Sequence, residues 1–234
     1  MKIRIKFRKF GVMKFIGHLD MMRYFQKAIR RAGIDICYSG GFSPHMIMSF
    51  ASPLGVGLTS DGEYLDIEVG EASSSADAVR RLNEVMAEGV EVVSFRKIPE
   101  GKASNAMALT AAADYEIRFR KGCAPKDGWQ KDFDRFCASD SIQVIKKSKK
   151  GERETDIRPL IYRIERQEDT IFMQVAAGSV RNLKPELVME AFAAFAGITF
   201  PESAFLIHRL EIYGDAGTGD KRQLVSLEAL GEII

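Results

Sequence analysis

Residues 2–8, Lys2-Ile-Arg-Ile-Lys-Phe-Arg8, alternate strictly between charged and apolar side chains. This period of two is typical of a β-strand with one buried face, so Ile3, Ile5 and Phe7 are predicted to point into a core. Over residues 18–33 the apolar side chains recur at helical spacing instead. That spacing predicts an amphipathic helix directly after the first strand.

The segments after this strand and helix predict the remaining elements of a folded unit. Further strands and one helix are predicted at residues 46–51, 63–69, 75–88 (the helix) and 90–98. Asp61-Gly62 predicts the turn of a hairpin before the strand at 63–69. The order β-α-β-β-α-β over residues 1–98 is that of a ferredoxin-like split βαβ unit.

The pattern recurs after residues 99–112, which are rich in Gly, Ala, Ser and Lys and are predicted to form a linker. Strands and helices are predicted at 115–119, 127–137 (helix), 142–145, 157–164, 171–176, 185–195 (helix) and 205–212. We therefore expect an α+β fold of two tandem ferredoxin-like (βαββαβ) units with antiparallel sheets, at residues 1–98 and 113–234.

Composition restricts the class of protein. The chain has 234 residues, 46% hydrophobic and 28% charged, which excludes a disordered chain. No apolar run approaches the roughly 18 residues of a membrane span, and the charged N-terminus lacks the apolar core of a signal peptide. Cys37, Cys123 and Cys137 are scattered, which disfavours a disulfide framework or a zinc site. We expect a cytoplasmic protein without membrane, metal or cofactor.

Charge is distributed unevenly along the chain. Residues 1–33 carry ten basic residues against Asp20 alone, and residues 61–91 carry nine acids against two arginines. The basic segment predicts attraction of a polyanion, unless the acidic segment neutralises it within the fold. In a ferredoxin-like sheet with helices on one face, basic strand side chains would project from the open face towards RNA. The candidate cations are Lys6, Arg8, Lys14, Arg23, Arg30 and Arg31.

Two further segments carry polar side chains that suit chemistry. Lys14-Phe-Ile-Gly-His-Leu-Asp20 opens the first helix, and His18 with Asp20 is a candidate proton-transfer or metal pair. The alternative for Asp20 is compensation of free N–H groups at the helix start. Thr155-Asp-Ile-Arg-Pro-Leu160 places Asp156 and Arg158 on one strand face, as an ion pair or as part of a site.

The least generic stretch is Ser39-Gly-Gly-Phe-Ser-Pro-His45. Its glycines permit positive φ and close backbone approach, so the loop could cradle a phosphate or another anionic substrate through N–H groups. The alternative is a tight connection between strands. The candidate binding residues are Ser39, Gly41, Phe42, Pro44 and His45, and His45 is also a candidate acid or base. The basic turn at 146–150 is an RNA-binding arm or a solvated tip.

Motifs from both halves of the chain resemble the radical SAM-linked protein family, a bacterial domain of unknown function (number 2344). They are Phe7–Gly11, Lys14–Asp20, Arg30–Gly33, Tyr38–His45, Leu54–Gly57, Ser60 with Glu63-Tyr64, and Asp156–Leu160. Gly17 stands where the family commonly has Ser, and Ser43 where it commonly has Asn. A glycine at position 17 offers no side-chain acceptor to the helix that follows.

The resemblance implies a genetic association with radical SAM proteins that carry a cobalamin-binding type domain, and with neighbours concerned with RNA processing. This chain has no CxxxCxxC motif for an iron–sulfur cluster. The resemblance therefore implies that it is the partner of a radical SAM protein.

Three functions follow as hypotheses. The first is a non-catalytic accessory protein that binds tRNA or other RNA and presents it to a radical SAM modification enzyme. The second is an enzyme that acts on RNA or a small anionic substrate through His18, Asp20, His45 or Asp156. The third is a protein–protein adaptor that binds no nucleic acid.

Overall fold

The computed structural model describes residues 1–101, 104–125, 128–148, 151–218 and 221–234. The strands are β1 Lys2–Lys9, β2 Met48–Phe50, β3 Thr59–Glu68, β4 Val90–Lys97, β5 Thr110–Phe119, β6 Gln143–Ser148, β7 Gly151–Asp156, β8 Ile161–Gln167, β9 Thr170–Ala176, β10 Phe205–Asp215 and β11 Leu224–Ser226. The α-helices are α1 His18–Arg31, α2 Ser75–Val85, α3 Ala106–Leu109, α4 Trp129–Cys137 and α5 Pro185–Ala196. Short 3-10 helices lie at Gly11–Phe15, Arg158–Leu160 and Leu227–Leu230.

The fold is α+β, with a large, mostly antiparallel sheet. The sheet is mixed, whereas the sequence analysis expected antiparallel sheets. The reason is physical: a period-two pattern specifies which face of a strand is buried, but not the direction of the neighbouring strand. In the described residues no helix has the length and apolar character needed to span a membrane.

The chain divides into two compact units. The first unit comprises residues 1–112 and 209–234, and the second comprises residues 113–208. The sequence analysis expected 209–234 in the second unit. The C-terminal segment joins the first unit because Glu232 pairs with Lys97 and because Ser75 and Ile234 exchange two hydrogen bonds, at 2.7 and 3.0 Å.

In the first unit β1 lies between β4 and β3 and is antiparallel to both, and β2 pairs antiparallel with β3. Ile3, Ile5 and Phe7 of β1 are buried, which confirms the inward face predicted from their alternation. They pack into one core with the apolar side of α1, including Phe25 and Ile29. The rings of Phe7 and Phe25 lie 4.7 Å apart.

The second unit has its own aromatic core. Phe133 of α4 and Phe192 of α5 are both fully buried, with ring centroids 4.9 Å apart in an edge-to-face arrangement. Strands β9 and β8 pair antiparallel, and β6 and β7 form a separate two-stranded hairpin. Asp127, where the helix was predicted to begin, and Lys149 and Lys150 of the basic turn lie outside the described residues.

Two predictions from glycine-rich sequence are wrong. Asp61-Gly62 does not form a turn, because β3 runs through both residues. A Cβ at Gly62 would lie 2.8 Å from the Glu211 Cα atom, so glycine is needed there for the close approach of β10. The predicted linker is not irregular throughout: it contains α3, whose Ala106 is buried and donates its N–H to Asp66 Oδ2 at 2.6 Å.

Candidate functional site

The face of β1 opposite the core is covered, and its first buried cation is Arg4. Its side chain is 1% exposed and binds both carboxylate oxygens of Asp66, at 2.8 and 2.9 Å. The same guanidinium donates to the carbonyl oxygens of Ser104 and Leu227. The expected open, basic sheet face is therefore wrong at this position, because the segments at 104–109 and 227–230 pack over it.

Lys6 and Arg8, both predicted to bind RNA, already have carboxylate partners. Lys6 Nζ lies 2.7 Å from Glu211 and 3.2 Å from Glu228. Burial lowers the pKa of Lys6, but these carboxylates outweigh it, so the net change is an increase. Arg8, which is half exposed, lies 3.4 Å from Asp61 and 3.3 Å from Glu91. Carboxylates thus pair with Arg4, Lys6 and Arg8 of β1 within the fold.

Helix α1 presents a group of exposed cations. Lys27, Arg30 and Arg31 are exposed and form no ion pair within the described residues, whereas Arg23 pairs with Asp20 at 3.0 Å. Their spacing places them along one side of the helix. From Arg23 to Arg31 the helix rises about 12 Å. The result is a short cationic surface on α1, defined by Arg23, Lys27, Arg30 and Arg31.

The acids of the neighbouring helix do not neutralise this surface. Asp77 and Glu84 of α2 bind Arg80 of the same helix, each at 2.6 Å. Hydrogen bonds and charge from Arg80 hold the pKa of Asp77 below its ordinary value. Lys14, another predicted cation, is half-buried with its ammonium 5.1 Å from the Phe15 ring centroid.

His18 and Asp20 occupy the first turn of α1 but have different surroundings. The N-cap Gly17 provides no side-chain hydrogen bond, as the sequence indicates. The His18 ring packs edge-to-face on Phe50 at 5.2 Å, and Asp20 forms its exposed ion pair with Arg23. Asp20 therefore forms an exposed ion pair within α1, and His18 lies against the Phe50 ring.

The loop at 39–45 is the tip of a tight hairpin. Ser39 N–H donates to His45 O at 2.9 Å, and the Ser39 hydroxyl lies 2.8 Å from His45 Nδ1. Gly41 has φ +98, and a Cβ there would meet nothing within 4 Å. Phe42 is fully exposed at the tip, as is Pro44 beside it. His45 contacts Ser39 whereas His18 contacts Phe50, so the two histidines have separate neighbours.

Asp156 and Arg158 lie in the second unit and organise the backbone around them. Asp156 Oδ1 accepts the N–H groups of Ile142 and Arg158, both at 2.9 Å. These hydrogen bonds hold the pKa of Asp156 below its ordinary value. The Arg158 guanidinium donates to the carbonyl oxygens of Ser139 and Ile161. The expected shared strand face is wrong, because β7 ends at Asp156 and Arg158 begins the following 3-10 helix. Both side chains instead bind backbone groups of the segments around them.

Sequence reasoning missed Lys9, which is 2% exposed at the end of β1. It lines a small cavity together with His18, Glu63 and apolar side chains. Its burial could have been predicted, because Lys9 follows Ile3, Ile5 and Phe7 at the same spacing of two. A lysine in a core register requires either a buried partner or a functional role.

Over residues 2–185 the chain matches the family described as "Uncharacterized protein conserved in bacteria (DUF2344)". No curated protein matches it. Among solved structures, it is similar to a chain of the "Crystal Structure of a Cbf5-Nop10-Gar1 Complex", with 12% identity and a TM-score of 0.46. That match covers 90% of this chain and 48% of the other, so this chain spans about half the length of the chain it matches.

Proposed function

Because the chain belongs to the DUF2344 family of uncharacterised proteins conserved in bacteria, we propose that it is a non-catalytic accessory protein of a radical SAM enzyme that modifies RNA. In this proposal it binds tRNA or another RNA through the cationic surface of α1. The observation that carries the proposal is the exposure of Lys27, Arg30 and Arg31 without an ion pair in the described chain. Phosphate groups of RNA would supply the missing counter-charges.

We also propose that the first unit has a ferredoxin-like fold. In the first unit β1 lies between β4 and β3, and β3 also pairs with β2 and β10. With α1 and α2 packed against one face, this arrangement supports a ferredoxin-like unit to which β10 is added. Because Arg4, Lys6 and Arg8 of β1 have carboxylate partners, RNA would bind on the helix side of this unit. Of the cations expected to bind RNA, this proposal keeps Arg23, Arg30 and Arg31 and leaves out Lys6 and Arg8.

The test is the affinity for bulk tRNA, measured by fluorescence anisotropy at about 0.1 M salt. Arg30→Ala removes one exposed cation, and a lost phosphate contact should weaken binding about fivefold. Lys131→Ala is the matched control, because Lys131 is exposed on α4 of the second unit. Equal affinities for the two variants would contradict the proposed surface.

A protein–protein adaptor is the second candidate, and exposed apolar side chains near the start of α1 favour it. Phe15, Leu19 and Val56 are each more than 60% exposed, and Val56 lies beside Gly17. An adaptor predicts no salt-dependent tRNA affinity and a stable complex with the radical SAM partner. Phe15→Asp should then weaken that complex, and Arg30→Ala should leave it unchanged.

A further inference from the structure

Lys9 is a buried cation with a single hydrogen bond. It is 2% exposed, and its Nζ donates to the Ile16 carbonyl oxygen at 2.7 Å. No carboxylate of the described chain lies within ion-pair distance of it. An ammonium has three N–H donors, so two of them remain for another acceptor.

The nearest carboxylate is already used by a different cation. Glu63 is 3% exposed and binds Arg209 through both of its oxygens, one of them at 2.8 Å from Nε. Arg209 also donates to the Ser52 carbonyl oxygen at 2.7 Å. Glu63 therefore balances Arg209, and the three groups together leave one positive charge on Lys9. A buried charge without a counter-charge is strongly unfavourable.

The space beside Lys9 suits a counter-ion. The cavity has a volume of about 10 Å³ and is lined by Phe7, Lys9, His18, Met21, Phe50, Pro53, Leu54 and Glu63. That volume holds about one water molecule or one oxygen atom. Pro53, which is exposed, and His18, which is half-buried, both line the cavity.

We propose that this cavity is a binding site for an oxyanion, with one oxygen of a phosphate or carboxylate group held by Lys9 and the rest of the ligand lying between His18 and Pro53. The apolar walls around Lys9 strengthen such a charged hydrogen bond, since they exclude water. The arrangement is independent of the cationic surface on α1. Burial lowers the pKa of Lys9, aided by the charge of Arg209 and opposed by that of Glu63, and a bound anion would counteract this lowering.

The experiment measures thermal unfolding of the whole chain in phosphate, in acetate, and in chloride at equal ionic strength. An anion at ten times its Kd should raise the midpoint by about 3 °C over chloride. Lys9→Met removes the charge but keeps an apolar stem, so it should fold and lose this rise. Lys131→Met, at an exposed site on α4, should keep it. A rise with phosphate alone or with acetate alone supports the site and identifies its ligand class.

Two results would overturn the proposal. One is the same rise in Lys9→Met as in the unsubstituted chain, and the other is no rise with either anion, as expected if Lys9 sheds its proton instead. If Lys9→Met does not fold, a crystal structure of the unsubstituted chain grown in the stabilising anion decides. Oxyanion density within hydrogen-bond distance of Lys9 Nζ supports the site, and a lone water there overturns it.

Discussion

At the scale of single residues, the first unit depends on ion pairs that β1 forms with its neighbours. Arg4 with Asp66 is the most buried of those made by β1, with side chains 1% and 8% exposed. A paired charge in this position is tolerated, but removing one partner leaves the other charge buried alone. The pair is therefore expected to be costly to break and nearly neutral to replace.

Asp66→Asn should lower the free energy of unfolding by about 3 kcal/mol, because Arg4 keeps its charge and loses its counter-charge. The measurement is urea denaturation followed by circular dichroism. The double variant Arg4→Met with Asp66→Leu should recover much of that loss. A loss in the double variant as large as the summed losses of Arg4→Met and Asp66→Leu, each measured alone, would contradict this explanation.

The carboxylate of Asp156 should make stability depend on acid pH. Its pKa is lowered in the folded state by the N–H groups of Ile142 and Arg158. A lowered pKa contributes stability above the unfolded value of about 3.9, and that stability is lost as the pH falls through the folded value. At pH 7 the Asp156→Asn variant should therefore be less stable than the unsubstituted chain. Between pH 5 and pH 2 its free energy of unfolding should fall less than that of the unsubstituted chain.

This prediction is checked by urea denaturation at several pH values, with Asp140→Asn as the control. Asp140 is exposed in the turn before β6. Parallel curves of stability against pH for Asp156→Asn and the unsubstituted chain would show that this carboxylate has no such role.

Residue-scale chemistry was only partly predictable from sequence. Alternation identified Ile3, Ile5 and Phe7 as core, which is confirmed. The sequence analysis did not extend that alternation to Lys9, which is also buried. What the pattern could not supply was the partner of each charge. Arg4 contacts residues 66, 104 and 227, and Lys6 contacts residues 211 and 228. Contacts between positions so far apart in the chain produce no periodic pattern in a single sequence.

At the scale of secondary-structure elements, the start of α1 offers a direct test of capping. Gly17 is the N-cap, with φ −74 and ψ 169, and a Cβ there would meet only Val56 at 3.9 Å. Gly17→Ser should therefore fit without strain and accept a backbone N–H of the first turn. We expect a gain of about 0.5 kcal/mol in the free energy of unfolding, measured by urea denaturation.

The control is Gly17→Ala, which reduces the freedom of the unfolded chain equally but has no acceptor. Serine should exceed alanine in stability. If the two variants are equally stable, the serine hydroxyl makes no cap.

Element boundaries followed local pattern where one face of the element is buried. The first strand and helix lie where the sequence indicates, at Lys2–Lys9 and His18–Arg31. The segments at 61–62 and 104–109 were misread because their glycine, alanine and serine content also suits turns and linkers. In the fold these small residues permit close packing, of β10 on Gly62 and of α3 on Asp66.

At the scale of the whole molecule, the C-terminal segment belongs to the unit that contains the N-terminus. Leu227 accepts a hydrogen bond from Arg4, Glu228 pairs with Lys6, and Glu232 pairs with Lys97. Deleting residues 227–234 should therefore expose β1 and weaken its sheet, with faster hydrogen exchange at the amides of β1 and β4.

Hydrogen exchange in the second unit of the same deletion variant is the internal control, because β8 and β9 pair with each other there. Their exchange should change much less than that of β1. Unchanged exchange in β1 would show that the segment at 227–234 does not hold the first unit together.

The central claim is that the cations of α1, and not those of β1, bind RNA. Its most direct test is the salt dependence of tRNA affinity for the variant that combines Lys27→Ala, Arg30→Ala and Arg31→Ala. Each neutralised phosphate adds about 0.7 to the slope of log affinity against log salt. The account predicts that the slope of the triple variant is shallower by about 2. An unchanged slope, or tRNA affinity that is independent of salt in the unsubstituted chain, would contradict the account.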